Sequence, residues 1–558
     1  FVESDINTHF RFGRDTDKEN FYPNAGGGIP DDWLQEKTVP IRFDNFYHYN
    51  ATYSIQNQSP NFPYRLKYPS LECIVNHQSR VIYSDQATDS NLTSDKWLSY
   101  RPGNKFDFPK EGGRLIDLNA GETEKVYARF ENTTKVYNAR IVLTSTSPYQ
   151  LEIGNADMFK QKPVDLSNTD LGYIGSQHKA YVRTEYGTFW VDAKRGHVYQ
   201  ITGQGFNEIK SAINYNWFKE NLPFQILKDL PNADTDVPSL GIGIVMGWDE
   251  RFERVFITKL DYRVVPAYRS GETYIDYITD RLDPDYRYFV KIDNGSKTRV
   301  SLTDTRYFEN KSWTVAYSPK LKNFISFYSF LPNFFIPQLG HFQTIINRPA
   351  GASLWNHNLS PYVYQTYYGK LYPYIIEYVV NSIPINHSVT SVSLYAEIQE
   401  YYSRQDYYSL GTADKNNKNT ANFTKAIVYN REQSSGIVNL IPEQFGNTRQ
   451  KIQYPRMSPS GIQTLLSRRE NKFTFNGFWN IAAQGNGQSL WTTNWADLQS
   501  QYPIDKLPNT KAVRNVGVAF QKNKIKSDFT RVRLIQDKYN RYKFVNNIQI
   551  TQTNQSTI

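Results

Sequence analysis

Short apolar-aromatic runs alternate with polar turns of roughly four residues from about residue 80 to 400, and two such runs around one turn predict a β-hairpin. Five units show it: RLIDL-NAGETE-KVYARF-ENTT-KVYNARI at 114–141, GTFWV-DAKRG-HVYQI at 187–201, GIVMGW-DERFE-RVFITKL at 243–260, WTVAYS-PKLK-NFISFYSF at 313–330 and HFQTII-NRPAGA-SLWNHN at 341–358. Their turns begin at irregular intervals (Asp192, Asp249, Pro319), so the units resemble propeller blades carrying insertions. Trp190, Trp248 and Trp313 each sit in an apolar run beside a turn, which predicts strand positions with packed rings. Helical spacing occurs twice. Ile209, Ile213, Trp217 and Leu222 share a face behind a cap at Asn207, and Ser460 caps a turn presenting Ile462, Leu465 and Leu466.

The pattern divides the chain into three regions. Residues 1–75 are the least periodic, broken by the glycines at 26–28 and by Pro30, Pro40, Pro60, Pro63 and Pro69, and read as an extended arm lying on other structure. Residues 76–410 hold the hairpins and read as a propeller-like β domain. The polar stretch GTADKNNKNTAN at 411–422 opens a β-rich C-terminal region, 411–558, ending in an expected hairpin FTRVRLI-QDKYN-RYKFVNNIQITQ at 529–552. The fold class expected is therefore mainly β: propeller-like hairpin blades with insertions, an extended N-terminal arm and a β-rich C-terminal region.

Composition narrows the picture. The 558 residues exceed a single small module, and 42 Tyr, 33 Phe and 10 Trp give ample large apolar surface to bury, so nothing in the composition argues for disorder. One cysteine, Cys73, excludes a disulfide framework and a Cys-rich zinc site. The net charge of +10, from 64 Lys and Arg against 54 Asp and Glu, is a mild bias over this length and names no partner. The most apolar window, 324–340, is interrupted by Pro332 and Pro337 and cannot be a spanning helix. The chain opens at Phe1 with neither an initiator Met nor a signal-peptide pattern, which predicts sequence upstream of it.

Candidate chemistry is sparse. The eight histidines (His9, His48, His77, His178, His197, His341, His357, His387) include no i, i+4 pair, and HExxH, GxSxG and P-loop signatures are missing. A glycosidase needs two carboxylates across a cleft. Asp249 with Glu250, or Asp283 with Asp285, could supply them, but Asp at strand reversals is more simply a turn residue. Aromatic strands could stack on sugar rings or fill cores, the latter being the commoner use. Ten Asn-x-Ser/Thr sequons, Asn50, Asn91, Asn132, Asn310 and Asn422 among them, are expected by chance in so Asn- and Thr-rich a chain. The basic stretch 521–543, with Lys522, Lys524, Arg531 and Arg533, could touch phosphate, although a solvated face or an acidic protein neighbour accounts for it more simply. No catalytic, cofactor-binding or metal-binding residue is assigned, and no cofactor is expected.

Five segments in order, YIGSQHKAYVRTEYGTFWVDAKRGHVYQI (173–201), NWFKENL (216–222), MGWDERFERVFITKLDY (246–262), SWTVAYSPKLKNFISFYSFLPNFFI (312–336) and SLWNHN (353–358), resemble the tail muzzle, or stabilisation, proteins of crAss-like bacteriophages. FVESDIN at 1–7 and TYSIQN at 52–57 extend the resemblance; beyond about 410 little of it remains. The resemblance implies a structural virion protein, not an enzyme, at the distal end of a short tail, corresponding to the C-terminal part of a longer protein. It implies a hub that closes the axial channel and allows DNA ejection. The implied partners are further copies in a closed ring, a hexamer, then adjacent ring and adaptor proteins, its own upstream fragment, and genomic DNA passing without sequence-specific binding. The alternatives are an extracellular polysaccharide-binding or polysaccharide-cleaving propeller and a bacterial surface adhesin. With DNA sliding past, the basic 521–543 stretch is expected to face protein or solvent, because a strongly basic wall would retain phosphates.

Overall fold

The computed structural model describes residues 77–83, 104–121, 125–138, 141–144, 152–156, 159, 162–166, 177–202, 205–209, 215–279, 287–348, 351–358, 364–381, 387–400, 422–430, 433–442, 456–458, 461–469, 472–476, 478, 525, 527–538 and 540–554. The expected arm at 1–75 lies outside them, as do Asp283, Asp285 and most of 411–422. The described residues are mainly β, in many small antiparallel sheets and one larger sheet, with almost no helix. They divide into two compact units. One runs to Val237 and adds Ile242–Met246 and Asp261–Asn310; the other comprises Pro238–Gly241, Gly247–Leu260 and the chain from Lys311.

In the first unit, Gly205–Glu208, His197–Thr202, Gly187–Asp192 and Tyr181–Thr184 form a four-stranded antiparallel meander in that order. Every residue of Gly187–Asp192 is buried, polar Thr188 and Asp192 together with apolar Phe189, Trp190 and Val191. Trp190 is 1% exposed and packs against Tyr127 and Phe206 at ring distances of 6.3 and 5.8 Å. Gly187 has φ +110°, and a Cβ there would lie 2.0 Å from the Ile201 carbonyl oxygen, so only glycine starts this strand without displacing its partner. The following turn is an Asx turn: the Asp192 carboxylate accepts the amides of Lys194 and Arg195, both at 3.0 Å.

A meander of Leu115–Ala120, Lys125–Phe130, Thr134–Asn138 and Val164–Asp165, and a three-stranded sheet of Thr273–Thr279, Arg287–Asp293 and Ser296–Val300, complete its main sheets. The helix expected behind Asn207 is corrected. Asn207 lies in the strand Gly205–Glu208, held in register opposite Gln200, and the helix spans only Tyr215–Asn221, with Leu222 fully buried behind it. Cross-strand pairing with an aromatic strand outcompetes one turn of marginal helix.

From Gly247 onward the second unit holds the sheet ordered Gly243–Asp249, Arg254–Leu260, Trp313–Ser318, Asn323–Tyr328, and it contains another ordered Phe334–Gln338, His341–Arg348, Gly351–His357. Trp248 and Trp313 are on strands as expected, but half-buried. Gly247 allows the two sheets to touch, since a Cβ there would meet the Phe335 ring at 2.4 Å. Between them lies an aromatic core in which Phe256 stacks on Phe335 at 5.8 Å, Phe342 on His357 at 4.6 Å and Phe330 on Tyr367 at 4.4 Å.

The larger sheet is nearly closed and barrel-like. Its eight-strand path runs Tyr374–Asn381, Phe529–Gln536, Lys425–Tyr429, Val438–Pro442, Gly461–Arg469, Lys472–Asn476, His387–Glu400, Asn540–Asn554, with Arg456–Ser458 paired onto Gly461–Arg469. Two sequence readings are corrected here. Gly461–Arg469 is a strand, parallel to Val438–Pro442 and antiparallel to Lys472–Asn476; buried Thr464 and Leu466 alternate with half-buried Gln463 and Leu465, a period of two. The last two strands do not pair with each other: Phe529–Gln536 lies between Tyr374–Asn381 and Lys425–Tyr429, whereas Asn540–Asn554 pairs with His387–Glu400. Val392, Leu394, Val428, Val438, Phe475, Val532 and Leu534 from five of these strands meet in one core.

Candidate functional site

The acidic pair Asp249 and Glu250 diverges. Asp249 is fully buried; its carboxylate accepts from the Arg254 Nε at 2.8 Å and the Asn358 side-chain amide at 2.8 Å. Glu250 instead accepts the Gly340 amide at 2.7 Å. Each acid fastens a turn, and the two do not face one space. The Arg254 guanidinium also lies over the rings of Phe252, Phe256 and Tyr328 at 4.8, 4.9 and 5.3 Å.

Six histidines fall among the described residues. Among those residues no group of three or more His, Cys, Asp and Glu could hold a metal ion. His357 is held to Thr344 Oγ1 at 2.7 Å, and burial, aided by the positive charge of Arg254, pushes its imidazole down to about 4. His387 is also shifted down by burial, opposed by Asp528, and neither of its ring nitrogens has a hydrogen-bond partner among the described residues.

Of the basic stretch, Lys522 and Lys524 lie outside the described residues. Arg533 is 1% exposed and donates from Nε to Glu377 Oε2 at 2.7 Å and from Nη2 to the Tyr429 hydroxyl at 3.1 Å; Arg531 donates to Glu377 Oε1 at 3.3 Å. No local signal marks Glu377, which sits 156 residues from Arg533 and meets it only through the register of Tyr374–Asn381 on Phe529–Gln536. A stretch that resembles a phosphate-binding surface in one dimension thus places one of its arginines inside a protein core.

The feature that sequence reasoning missed is a cluster of turns at one end of the second unit. Register brings them together: Val255 opposes Tyr317, and Phe342 opposes His357, so the turns at 249–254, 318–323 and 338–341 and the strand end at 357–358 share that end. Polar bonds lock them. Glu250 holds Gly340, Lys320 pairs with Glu253 at 3.3 Å, Arg251 donates to the Asn358 carbonyl at 2.8 Å, and Asn358 donates to Asp249. Each turn carries a residue with left-handed backbone, Glu253, Lys322 and Gly340, and Asn358 is left-handed as well. From this frame Phe252, Leu321 and Leu339 project 51%, 70% and 87% exposed. Each was visible as an apolar residue in a polar turn, the one available signal, but their convergence depends on strand register.

The sequence model of the family described as Crassvirus muzzle protein matches residues 1–348. That span includes the three turns and stops short of Asn358 and the barrel-like sheet. A search of curated proteins returned no match.

Proposed function

The chain belongs to the Crassvirus muzzle protein family of structural phage tail proteins, and on that premise we propose that it forms a closed ring around the axial channel, closing it until DNA is ejected. The observation that carries the reading is the family match over residues 1–348 of a 558-residue chain. Physical features support it. Sheets packed through aromatic cores and a nearly closed sheet with few exposed edges suit a part that must keep its shape under the pressure of packaged DNA. The hairpin sheets, set radially as blades, would surround such a channel, with neighbouring ring and adaptor proteins above. Arg533 is already engaged by Glu377 and is unavailable to phosphate, so this side chain would not retard passing DNA.

In this reading the chain turns over no substrate, since Asp249 and Glu250 are committed to turns. Peptide mass spectrometry of separated heads and tails tests the placement. Peptides from 77–554 are expected in the tail fraction; their confinement to heads, or their absence from particles, would contradict it.

A further inference from the structure

The His357 ring is caged by aromatic side chains. It stacks on Phe342 at 4.6 Å and lies 5.8 Å from Phe330, 5.8 Å from Tyr367 and 5.9 Å from Tyr368. Thr344 Oγ1 is 2.7 Å from His357 Nε2 and 3.0 Å from the Tyr368 hydroxyl, so one threonine joins the imidazole to the small hairpin of Thr366–Tyr367 and Lys370–Leu371. We propose that this hairpin is an acid-released latch: a proton on His357 detaches Tyr367 and Tyr368 from the aromatic core while the surrounding sheets stay folded. The proposal is independent of the ring reading above.

The groups around the imidazole set the direction. Arg254, on Arg254–Leu260, brings a positive charge, and the Asp249 carboxylate is already bonded to it at 2.8 Å and to Asn358. Tyr328, on Asn323–Tyr328, Thr344, on His341–Arg348, and the hairpin's Tyr367 and Tyr368 bring only hydroxyls. Beside a neutral ring, the Tyr368 hydroxyl donates to Thr344 and Thr344 donates to Nε2. Protonation turns Nε2 into a donor, the chain must reverse, and Tyr368 loses the acceptor that tied it down.

The hairpin is the part that can yield. It has two residues on each strand and pairs with no other sheet among the described residues. Gln365 and Tyr368 have φ of +66° and +56°, left-handed backbone that side chains of this size adopt only at a cost. Its attachments are the Tyr367 stack on Phe330 at 4.4 Å, the Tyr368 bond to Thr344, and the Gln365 side-chain amide donating to the Gln536 carbonyl at 3.0 Å. Lifting it admits water to the imidazole and relaxes the turn, whereas moving Phe342 or Thr344 breaks a three-stranded sheet. The ring titrates at about 4 when caged and near 6.5 when open, so closure is undiminished above about pH 6.5 and weakens as pH falls, the closed-to-open ratio dropping by up to roughly 300-fold below pH 4.

Hydrogen–deuterium exchange of the full chain, read by mass spectrometry, tests this in wild type, His357→Phe and His357→Gln, since neither replacement can take up a proton in this range. After correction for the intrinsic rate, exchange at 365–372 is expected to rise at least about tenfold in wild type on acidification from about pH 7 to 4 and in neither variant, with Val438–Pro442 still protected. No rise in wild type, the same rise in all three proteins, or loss of protection at Val438–Pro442 together with 365–372 would overturn the latch. The comparison of the two segments within wild type decides whether release is local even where a variant folds poorly.

Discussion

Arg533 shows how little a side chain's role follows from its immediate sequence. It lies in a run of Lys and Arg, yet its guanidinium is buried between Glu377 and the Tyr429 hydroxyl. Removing the acid alone, by Glu377→Ala, strands a buried charge and should cost about 3 to 5 kcal/mol, whereas Glu377→Leu with Arg533→Met should cost much less. Urea denaturation of the three proteins checks both values. His357 makes the complementary case. Its folded-state pKa of about 4 lies below the ordinary 6.5, so the fold favours the neutral ring. The associated stability is complete above about pH 6.5 and is lost as pH falls towards 4, by up to about 3 kcal/mol. His357→Phe keeps the stack on Phe342 and should remove this part of the acid sensitivity; the part due to His387, shifted in the same direction, should persist. An acid profile identical to wild type would show that His357 titrates alike in the folded and unfolded chain and contributes nothing to the acid sensitivity. Asp249 was legible as a turn residue; its contact with Asn358, 109 residues away, was not.

At the scale of elements, the five hairpin units were readable because each is local: period-two apolar patterning and a turn signal fall within about thirty residues. Misreadings arose where pairing is distant. Ile462, Leu465 and Leu466 fit a helical face, but Val438–Pro442 on one side and Lys472–Asn476 on the other impose a strand. The expected C-terminal hairpin failed for the same reason, since each of its strands finds a partner more than 100 residues upstream. Sheet contact also depends on a position that sequence alone marks only as a glycine. Gly247→Ala would drive a Cβ into the Phe335 ring, and overpacking of this kind costs about 1 to 3 kcal/mol. Thermal unfolding should show the loss, and Phe335→Leu in the same chain should recover part of it; an Ala variant as stable as wild type would mean that the sheets separate freely.

For the whole molecule, the mainly β class and the family were both legible, the first from composition and alternation and the second from five ordered segments within 173–358. The barrel-like sheet was not, because its closing strands, Tyr374–Asn381 and Asn540–Asn554, are separated by most of the C-terminal third of the chain. The exposed turn cluster was invisible for a related reason: Phe252, Leu321 and Leu339 converge only after two sheets have formed and packed. Folding should accordingly be slow and dominated by non-local pairing; refolding monitored by tryptophan fluorescence is expected on the scale of seconds or longer, and completion within microseconds would contradict the topology. The role proposed for the chain is that of a ring-forming structural subunit of the phage tail. Imaging of intact particles at side-chain resolution decides between the outcomes: several copies closed around the DNA axis at the distal tail are expected, and a single copy, a fibre, or a place on the capsid would overturn the proposal.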